Sequence, residues 1–191
     1  MNNMSEEITR QNVRIDTFNN LWYKPGPKWK IFLWYFVNTL FFINHLNPFI
    51  GIKVFWLRLF GAKIGKKCYI KPGVNIKYPW KLEVGNYVLI GENVWIDNLD
   101  RVILQDHSTL SQGATILTGS HNYKKQSFDL MIKPVVIEAG AWICAKAIVC
   151  PGVTCKSHSV LTTGSVANAD LEPYTIYSGH PAQPVRERII E

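Results

Sequence analysis

Residues 70–96 read "IKPGVNIKYPWKLEVGNYVLIGENVWI", and the spacing of the aliphatic residues in this stretch predicts the fold. The aliphatic residues that recur here are six, eight, six and six positions apart, and the same rhythm extends to both sides. A period of six fits neither a continuous helix, whose faces repeat every 3.6 residues or so, nor the simple alternation of a strand. The nine positions of this series are Ile64, Ile70, Ile76, Val84, Ile90, Ile96, Leu104, Leu110 and Ile116.

This rhythm predicts a chain that turns a corner after every short strand. Three hexapeptides and two further residues make a unit of 20 residues, so that three strands form one coil of a three-sided prism. The large aliphatic side chains then stack along the axis, and no coil can bury them alone. We therefore predict an all-β solenoid, a parallel β-helix of hexapeptide repeats, over residues 62–172. Small or apolar residues follow four positions later, at Cys68, Val74, Val88, Val94, Ser108, Ala114 and Ser120.

The repeat is interrupted at "TGSHNYKKQSFDLMIKP", residues 118–134. The pattern would place its next aliphatic residue at position 124 but resumes at Ile137, so about 13 residues are inserted. A prism of strands accommodates extra chain only at a corner, where it leaves as a loop. We expect residues 121–134 to form a loop that arches over a neighbouring coil or subunit, with His121 at its base. The period then continues at Ile143, Val149, Cys155 and Leu161.

Residues 1–61 differ in composition and are rich in aromatic side chains. The stretch from residue 29 to 60 carries only Lys30, Lys53 and Arg58 as charges. Its first apolar run, residues 31–43, is shorter than the roughly 20 residues that span a bilayer, and "NHLNP" at 44–48 interrupts it with a helix-breaking proline. Because Trp and Tyr favour the depth of lipid head groups, we expect two helices that lie in the membrane interface or fold back as a shallow hairpin, with membrane contact through residues 29–60. The alternative is a helical cap packed on the solenoid and on partner subunits.

The net charge of the 191-residue chain is +7, which points to an anionic partner such as a phosphorylated ligand or a lipid head-group layer, and no nucleic acid is expected. The four cysteines form no CxxC pair, and Cys68 and Cys155 occupy apolar repeat positions, so we predict reduced core thiols. The polar N-terminus "MNNMSEEITRQN" is unlike an export signal. These features predict a cytoplasmic protein, held peripherally on the inner face of the cell membrane if the helices bind lipid.

His121 is the best candidate for a catalytic side chain. It stands where the loop leaves the prism, next to Gly119 and Ser120, whose small size leaves room for a substrate. Imidazole has an unperturbed pKa near neutrality, which suits a general acid or base. The alternative is a surface histidine that is hydrogen-bonded to the loop.

Asp97, Asn98 and Trp142 are further candidates. Stacking brings residues 20 apart to one side, so Asp97 and Asn98 are expected near residues 117 and 118, where a carboxylate or an amide orients a sugar hydroxyl. The alternative is an amide that satisfies backbone groups in a stacked turn. Trp142 occupies a turn position that suits Gly or Asn, and it either packs on the next subunit or covers a ligand.

Several motifs resemble those of the left-handed β-helix acyltransferases, namely "GSH", "IEAGAWICAKAIVCPGV", "VLTTGSV" and "YSGHPAQPVR". Three stretches resemble more narrowly the colanic acid biosynthesis acetyltransferases, which are O-acetyltransferases of bacterial exopolysaccharide assembly: "FNNLWYKPGP", "GVNIKYPWKLEVGNYVLIGENVWIDNLD" and "DLEPYTIYSGHPAQPVRERI". The similarity extends over residues 16–190. It implies a left-handed coil, a homotrimer with active sites between subunits, acetyl-CoA as the donor without a metal, and a saccharide hydroxyl as the acceptor. The basic, aromatic N-terminal region fits an acceptor held on a polyprenyl diphosphate.

The resemblance also implies roles for individual residues. His121 matches the family's catalytic histidine, Asn98 and less closely Asp97 match the acceptor side, and Trp142 matches an aromatic residue along the pantetheine arm. The chain departs from the pattern at residues 168 and 169, where related sugar O-acetyltransferases carry Thr-Lys, so a different basic residue is expected at a coenzyme phosphate. The implied donor-groove positions are Ala145, Thr163 and Gly164. Arg186 is implied near the nucleotide end of the coenzyme. Lys146, Arg186 or Arg188 would replace the lysine that related enzymes carry at the coenzyme phosphate.

The sequence thus predicts an acetyl-CoA-dependent sugar O-acetyltransferase of exopolysaccharide, capsule or O-antigen biosynthesis, with direct transfer and His121 as general base. Three alternatives stay open: an N-acetyltransferase acting on an amino sugar, a γ-carbonic-anhydrase-like zinc enzyme, and a non-catalytic membrane scaffold. Residues 173–191 are expected to form a C-terminal tail after the solenoid.

Overall fold

The structure is a computed structural model that describes residues 11–191. Its helices are α1 at Lys28–Val37 and α2 at Ile50–Leu59, with a π-helical turn at Asn38–Ile43 and 3-10 turns at Ile15–Thr17 and Pro79–Lys81. Its strands are β1 Lys63–Ile64, β2 Tyr69–Ile70, β3 Asn75–Ile76, β4 Leu82–Val84, β5 Leu89–Ile90, β6 Trp95–Asp97, β7 Val102–Leu104, β8 Thr109–Leu110, β9 Thr115–Leu117, β10 Gly119–His121, β11 Leu130–Ile132, β12 Val135–Ile137, β13 Trp142–Ile143, β14 Ile148–Val149, β15 Thr154–Cys155, β16 Val160–Leu161, β17 Val166–Ala167, β18 Thr175–Gly179 and β19 Ala182–Glu187.

Three sheets form the sides of a prism. Sheet 1 contains β1, β4, β7, β12 and β15, sheet 2 contains β2, β5, β8, β13, β16, β18 and β19, and sheet 3 contains β3, β6, β9, β14 and β17. The chain turns at three edges: the first edge joins sheets 1 and 2, the second joins sheets 2 and 3, and the third joins sheets 3 and 1. This architecture confirms the predicted parallel solenoid with a helical N-terminal segment.

The register of the sheets matches the sequence repeat. Ile70 pairs with Ile90 and Ile90 pairs with Leu110, so residues 20 apart lie side by side in the first coils. Beyond the interruption, Ile137 pairs with Cys155, and the repeat shortens to 18 residues. The difference lies at the third edge, because the connection there is longer in the coils before the interruption than in those after it.

The predicted inward positions form the core. Every aliphatic repeat position is buried, with exposures between 0 and 9%. The positions four residues later are buried as well, except Ser120, which is exposed because it belongs to the loop that leaves the prism. Removing these side chains from water is the main stabilising contribution to a stack whose individual strands are only two or three residues long.

The helical cap, residues 28–60, closes the first end of the prism. Trp34, Phe42 and Leu57 are buried, and Trp34 Nε1 donates a hydrogen bond to the carbonyl of Ile76 at 2.7 Å. Lys53 is also buried, with its Nζ 3.3 Å from the carbonyl oxygen of Ile70. The two predicted helices are present with their break at 44–48. One face of the cap covers the first coil, as expected from the alternative of a helical cap packed on the solenoid.

The opposite face of the helical cap is exposed and apolar. No helix within residues 11–191 has both the length and the apolar character needed to cross a bilayer. Because the core covers only one face of each helix, the outer face leaves large side chains in solvent. They include Trp29, Phe32, Tyr35, Phe36, Leu40, Leu46, Phe49, Phe55 and Leu59.

The inserted residues form a hairpin at the third edge. Strands β10 and β11 pair antiparallel, with Gly119 opposite Ile132 and His121 opposite Leu130, and we call residues 119–132 the His121 hairpin. Residues 14–27, the N-terminal strap, run along the same edge without regular structure beyond one 3-10 turn and continue into α1. Trp80 Nε1 donates to the carbonyl of Pro25 at 2.7 Å, which fixes the strap to the first coil.

The residues predicted as a C-terminal tail belong to sheet 2. Strand β18 pairs in parallel with β16, and β19 returns antiparallel to β18. All four cysteines are free thiols; Cys68, Cys144 and Cys155 are buried and Cys150 is partly buried, as predicted for core thiols. The first residues of the N-terminal segment, 1–10, and the prediction that they carry no export signal lie outside the described residues.

Candidate active site

His121 ends strand β10, at the point where the His121 hairpin leaves the prism. Its neighbour Gly119 packs so closely on Leu99, one coil earlier, that a Cβ at position 119 would collide with the Leu99 side chain. Glycine therefore lets the hairpin start flat against the third edge. The imidazole is partly buried, so it is shielded from bulk water and still accessible from outside the chain.

Phe128 fixes the imidazole of His121 in two ways. The carbonyl oxygen of Phe128 lies 2.9 Å from His121 Nδ1, and the two rings stack with centroids 4.5 Å apart and planes within 5°. A carbonyl can only accept, so Nδ1 carries the proton and Nε2 of the neutral ring carries the lone pair. Phe128 adopts φ +51°, a conformation that non-glycine residues adopt only when their surroundings impose it.

The N-terminal strap covers the second side of His121. The ring of Phe18 lies 5.7 Å from the imidazole centroid at an angle of 53°, and Arg14 N donates to the carbonyl of Gln126 at 2.8 Å. His121 is thus held between a strap residue and a hairpin residue. Such aromatic contacts limit the rotation of the ring and exclude water from its faces.

The strap is anchored below the hairpin by Tyr23 and Lys81. Tyr23 donates its phenolic hydrogen to the carbonyl of Leu99 at 2.8 Å, and Lys81 Nζ lies over the Tyr23 ring, 4.7 Å from its centroid. Burial raises the pKa of Tyr23 and lowers that of Lys81. The phenol of Tyr23 therefore stays protonated near neutral pH, where it acts as a hydrogen-bond donor.

Asp97 and Asn98 lie on the predicted side of the prism and differ in their surroundings. Asp97 pairs in register with Leu117, and its carboxylate lies 2.8 Å from Lys77 Nζ in a partly buried ion pair. Asn98 is fully buried; its amide donates to the carbonyl of Tyr78 at 2.7 Å and accepts from the backbone N–H of Tyr78 at 2.9 Å. Both ends of this amide bind backbone groups. This favours the alternative that Asn98 satisfies backbone groups in a stacked turn over a role in binding the acceptor. Asp97 retains a carboxylate at the surface of sheet 3.

The predicted donor positions lie together at the second edge. Ala145 and Lys146 are in the turn between β13 and β14, and Thr163 and Gly164 are in the next turn of the same edge, where Gly164 N donates to the Ala145 carbonyl. Trp142 lies on the neighbouring sheet 2, half exposed, with its Nε1 bonded to Ser111 Oγ at 2.8 Å. The expectation that Trp142 occupies a turn is wrong, because Trp142 begins strand β13, which leads into the turn that carries Ala145 and Lys146.

The basic residues expected at a coenzyme phosphate are separated. Arg186 lies on β19 of sheet 2, opposite Ile176, and is exposed. Arg188 donates through Nη1 to the carbonyls of Gly140 and His158 at 2.9 and 3.1 Å. This binding holds Arg188 at the first edge, and the pairing of Arg186 with Ile176, itself opposite Val160, places Arg186 near the same edge. Of the predicted basic residues, Lys146 is therefore the one at the second edge.

Sequence reasoning missed Phe18 and Phe128, which contact His121. Phe128 lies in the inserted loop, where the repeat gives no positional information, and its φ value is a consequence of the hairpin. Phe18 lies in "FNNLWYKPGP", a stretch that carried the family resemblance, but nothing in that pattern indicated a contact across about 100 residues of sequence. Neither contact is visible without the fold.

The cysteine thiols are poor candidates for a catalytic nucleophile. Burial raises the pKa of the Cys144, Cys150 and Cys155 thiols, which keeps them protonated and poor nucleophiles. No group of three or more His, Cys, Asp or Glu side chains in the described part of the chain is arranged to hold a metal ion. The histidines are spread over different edges, with His107 and His158 in turns of the first edge and His121 at the third.

No protein-family model matches the chain. It is 35% identical over 167 residues to a protein named as a colanic acid biosynthesis acetyltransferase, WcaF, of Escherichia coli K12, which covers 87% of this chain and 92% of that protein. The hexapeptide-repeat acetyltransferase of Vibrio cholerae, solved in complex with acetyl-CoA, superposes with a TM-score of 0.70 at 25% identity over 76% of this chain and 81% of that one. A galactoside acetyltransferase in complex with coenzyme A shares the fold, with a TM-score of 0.74 at 20% identity over 83% and 80% of the two chains.

Proposed function

Because the chain belongs to the family of the colanic acid biosynthesis acetyltransferase WcaF, and is an acetyl-CoA-dependent acetyltransferase, we propose that it acetylates a saccharide hydroxyl with His121 as general base. One observation carries the proposal: the Phe128 carbonyl binds His121 Nδ1 and leaves the lone pair on Nε2. A general base needs this tautomer, held in one orientation. The acceptor belongs to exopolysaccharide, capsule or O-antigen biosynthesis.

In the proposed reaction, His121 Nε2 takes the proton of the acceptor hydroxyl as the hydroxyl oxygen attacks the acetyl carbonyl. Acetyl-CoA supplies the thioester, and as its carbon–sulfur bond breaks the coenzyme leaves as a thiol that takes the proton from His121 Nε2, which regenerates the neutral base. The proton on Nδ1 remains bonded to Phe128 O, so the positive charge that develops on the ring faces a carbonyl dipole. Because burial raises the pKa of the Cys144, Cys150 and Cys155 thiols and makes them poor nucleophiles, we expect direct transfer without an acyl-enzyme on these cysteines.

The surface of the second edge fits the donor. A Cβ at Gly164 would meet no atom within 4 Å, and Ala145 beside it is also small, so the edge offers a shallow groove for a narrow chain such as a pantetheine arm. Trp142 forms one side of this groove with an indole whose orientation Ser111 fixes. Lys146 supplies positive charge for the coenzyme phosphates at this edge, and Arg186 on β19 is the further candidate.

We extend the proposal to a homotrimer in which each site is shared by two subunits. Within one chain, the donor residues lie at the second edge and His121 lies at the third, with sheet 3 between them. A donor bound at the second edge therefore reaches the His121 of a neighbouring copy more readily than that of its own chain. Closed cyclic symmetry then gives every subunit one donor groove and one base.

The outer face of the helical cap supports peripheral contact with the inner face of the cell membrane. Aromatic and aliphatic side chains are exposed there on both helices, and the length of α1 and α2 excludes each of them as a span. Such a surface binds at the depth of the lipid head groups. It would hold the enzyme beside an acceptor that is linked to a polyprenyl diphosphate.

An acceptor assay distinguishes the proposed ester product from an amide. With radiolabelled acetyl-CoA, we expect label on a saccharide without amino groups, and we expect alkaline hydroxylamine to release it, because alkaline hydroxylamine cleaves oxygen esters and leaves amides intact. Label that resists hydroxylamine and appears only with amino sugars would show N-acetylation. If no coenzyme A is released with either acceptor, the result would favour a non-catalytic membrane scaffold. A zinc ion bound to the purified protein would favour the γ-carbonic-anhydrase-like zinc enzyme.

Phe18 is expected to act as a positioning residue through its contact with the imidazole. We expect Phe18→Ala to lower kcat by between about tenfold and 100-fold, because small displacements of a base are costly. The KM for acetyl-CoA should stay unchanged, since the donor groove lies at another edge. Phe18→Leu should recover part of the loss by refilling the volume.

Leu21→Ala is the matched control, because Leu21 belongs to the same strap and is 77% exposed. It should leave kcat within about twofold of the unaltered enzyme. If Phe18→Ala raises the KM for acetyl-CoA and spares kcat, Phe18 does not position His121.

A further inference from the structure

A cavity of about 670 Å³ lies between α2 and the first-edge turn of the first coil, remote from His121. Its helical wall includes Val54, Phe55 and Leu59, and its turn wall includes Lys66 and Lys67. Phe55 and Leu59 are 59 and 61% exposed, so the apolar wall continues into the outer face of the helical cap. The cavity thus opens where the cap offers an apolar surface.

The polar wall of this cavity is cationic and preorganised. Arg58 also lines it, and its guanidinium is held in place by the carbonyls of Ile64 and Gly65 at 2.7 and 3.1 Å. The turn that carries both lysines is fixed by Lys66 N, which donates to Asn86 Oδ1 at 2.9 Å. No carboxylate lines the cavity among the described residues. Three positive charges therefore stand on rigid backbone with no acid beside them.

The surrounding sequence has the same charge asymmetry. No Asp or Glu occurs between Asp16 and Glu83, whereas that stretch holds 11 of the 21 Lys and Arg residues of the chain. These residues form the helical cap, most of the strap and the first coil. An acid-free, basic region with exposed aromatic side chains matches the two properties of an anionic bilayer surface, its negative potential and its apolar interior.

We propose that this cavity binds the phosphate head group of an anionic membrane lipid, with the lipid chains alongside Phe55 and Leu59. Lys66, Lys67 and Arg58 supply the positive charge that the phosphate requires, and the apolar wall selects a phosphate that is attached to hydrocarbon over a free one. This inference rests on the membrane contact proposed above and is independent of the acetyl-transfer chemistry.

Vesicle flotation with the full-length protein tests the site. The wild-type protein should bind vesicles of phosphatidylcholine with phosphatidylglycerol and bind pure phosphatidylcholine vesicles much more weakly. The double variant Lys66→Gln with Lys67→Gln should bind the anionic vesicles about 30-fold more weakly, because each lysine near the surface contributes about a factor of five. Lys124→Gln with Lys125→Gln removes the same charge from the His121 hairpin and should change vesicle binding less than about threefold.

Three outcomes would overturn the proposal. They are equal binding to both vesicle types, an equal loss in the two double variants, and release of the protein from anionic vesicles by millimolar inorganic pyrophosphate at constant ionic strength. The first excludes charge recognition, the second reduces it to overall net charge, and the third assigns the site to free phosphate. Acetyl transfer to a soluble saccharide is measured on the same preparations. Lipid binding without transfer would refute the proposed function alone, and transfer without lipid selectivity would refute this inference alone.

Discussion

We expect His121→Ala to lower kcat by at least 100-fold, and by as much as about 10⁴-fold, which is the usual range for loss of a general base. The reason is structural: the Phe128 carbonyl holds the tautomer that leaves Nε2 unprotonated, and alanine has no group to take its place. The KM for acetyl-CoA and the oligomeric state should be preserved, because the proposed donor groove lies at the second edge. Turnover with acetyl-CoA and an acceptor saccharide measures the effect.

His107→Ala is the control for this prediction. His107 is an exposed first-edge histidine stacked on Tyr87 at 4.9 Å, and its loss should leave kcat within about threefold. A His121→Ala protein that retains more than a tenth of the turnover would remove His121 from the mechanism.

Mixed assemblies extend the test to the shared site. His121→Ala subunits keep a donor groove, and Ala145→Trp subunits keep a base but have their groove filled. If each site takes its base and its groove from different chains, co-refolding the two inactive proteins in equal amounts should restore about a quarter of the wild-type activity. If both parts come from one chain, no active site forms in any mixture and the activity stays at background.

The second large effect concerns the helical cap. Trp34→Ala should lower the free energy of unfolding by about 3–5 kcal/mol, the usual cost of truncating a buried large aromatic residue. The Trp34 side chain is 2% exposed, its ring packs on Phe42 and Phe60 at 5.1 and 5.2 Å, and its Nε1–H bonds to the Ile76 carbonyl. Truncation leaves a cavity and removes the donor of a buried carbonyl. Equilibrium urea unfolding at fixed protein concentration measures the change.

Trp29→Ala is the matched comparison, because Trp29 lies on the same helix with 65% of its surface exposed. Its removal should change the unfolding free energy by no more than about 0.5 kcal/mol. If the two variants unfold alike, the cap does not close the solenoid in the manner described. Trp29 instead belongs to the surface proposed for lipid, so its removal should weaken vesicle binding while Trp34 mainly supports the fold.

The parts of the fold that repeat could be predicted from the sequence. A period of six with a fixed aliphatic position predicts a prism with those side chains inside. Each repeat position from Ile64 to Leu161 is buried in this way. The corner of the interruption was predictable for the same reason, because extra chain fits only where strands end. His121 could be located because it is adjacent to that corner.

Contacts without a period could not be predicted. The aromatic residues of the helical cap occur on all sides of both helices, so the sequence did not reveal which of them face the first coil. Asn98 illustrates a second limit, because the sequence could not tell whether its amide was directed to a ligand or to the backbone of Tyr78. Such questions depend on packing between segments that are distant in sequence.

Because the repeat is shorter after residue 137, adding a coil before the His121 hairpin and adding one after it would have different effects. The third-edge connections are two residues longer in the coils before the His121 hairpin than in those after it. The N-terminal strap packs along these longer connections, with contacts at Trp80 and Leu99, before Phe18 reaches His121. A duplicated rung inserted ahead of residue 118 would carry His121 away from Phe18 by one strand spacing, about 4.8 Å. A rung added on the C-terminal side of the His121 hairpin would leave that reach unchanged, so the contact between Phe18 and His121 favours lengthening of the solenoid toward its C-terminal end.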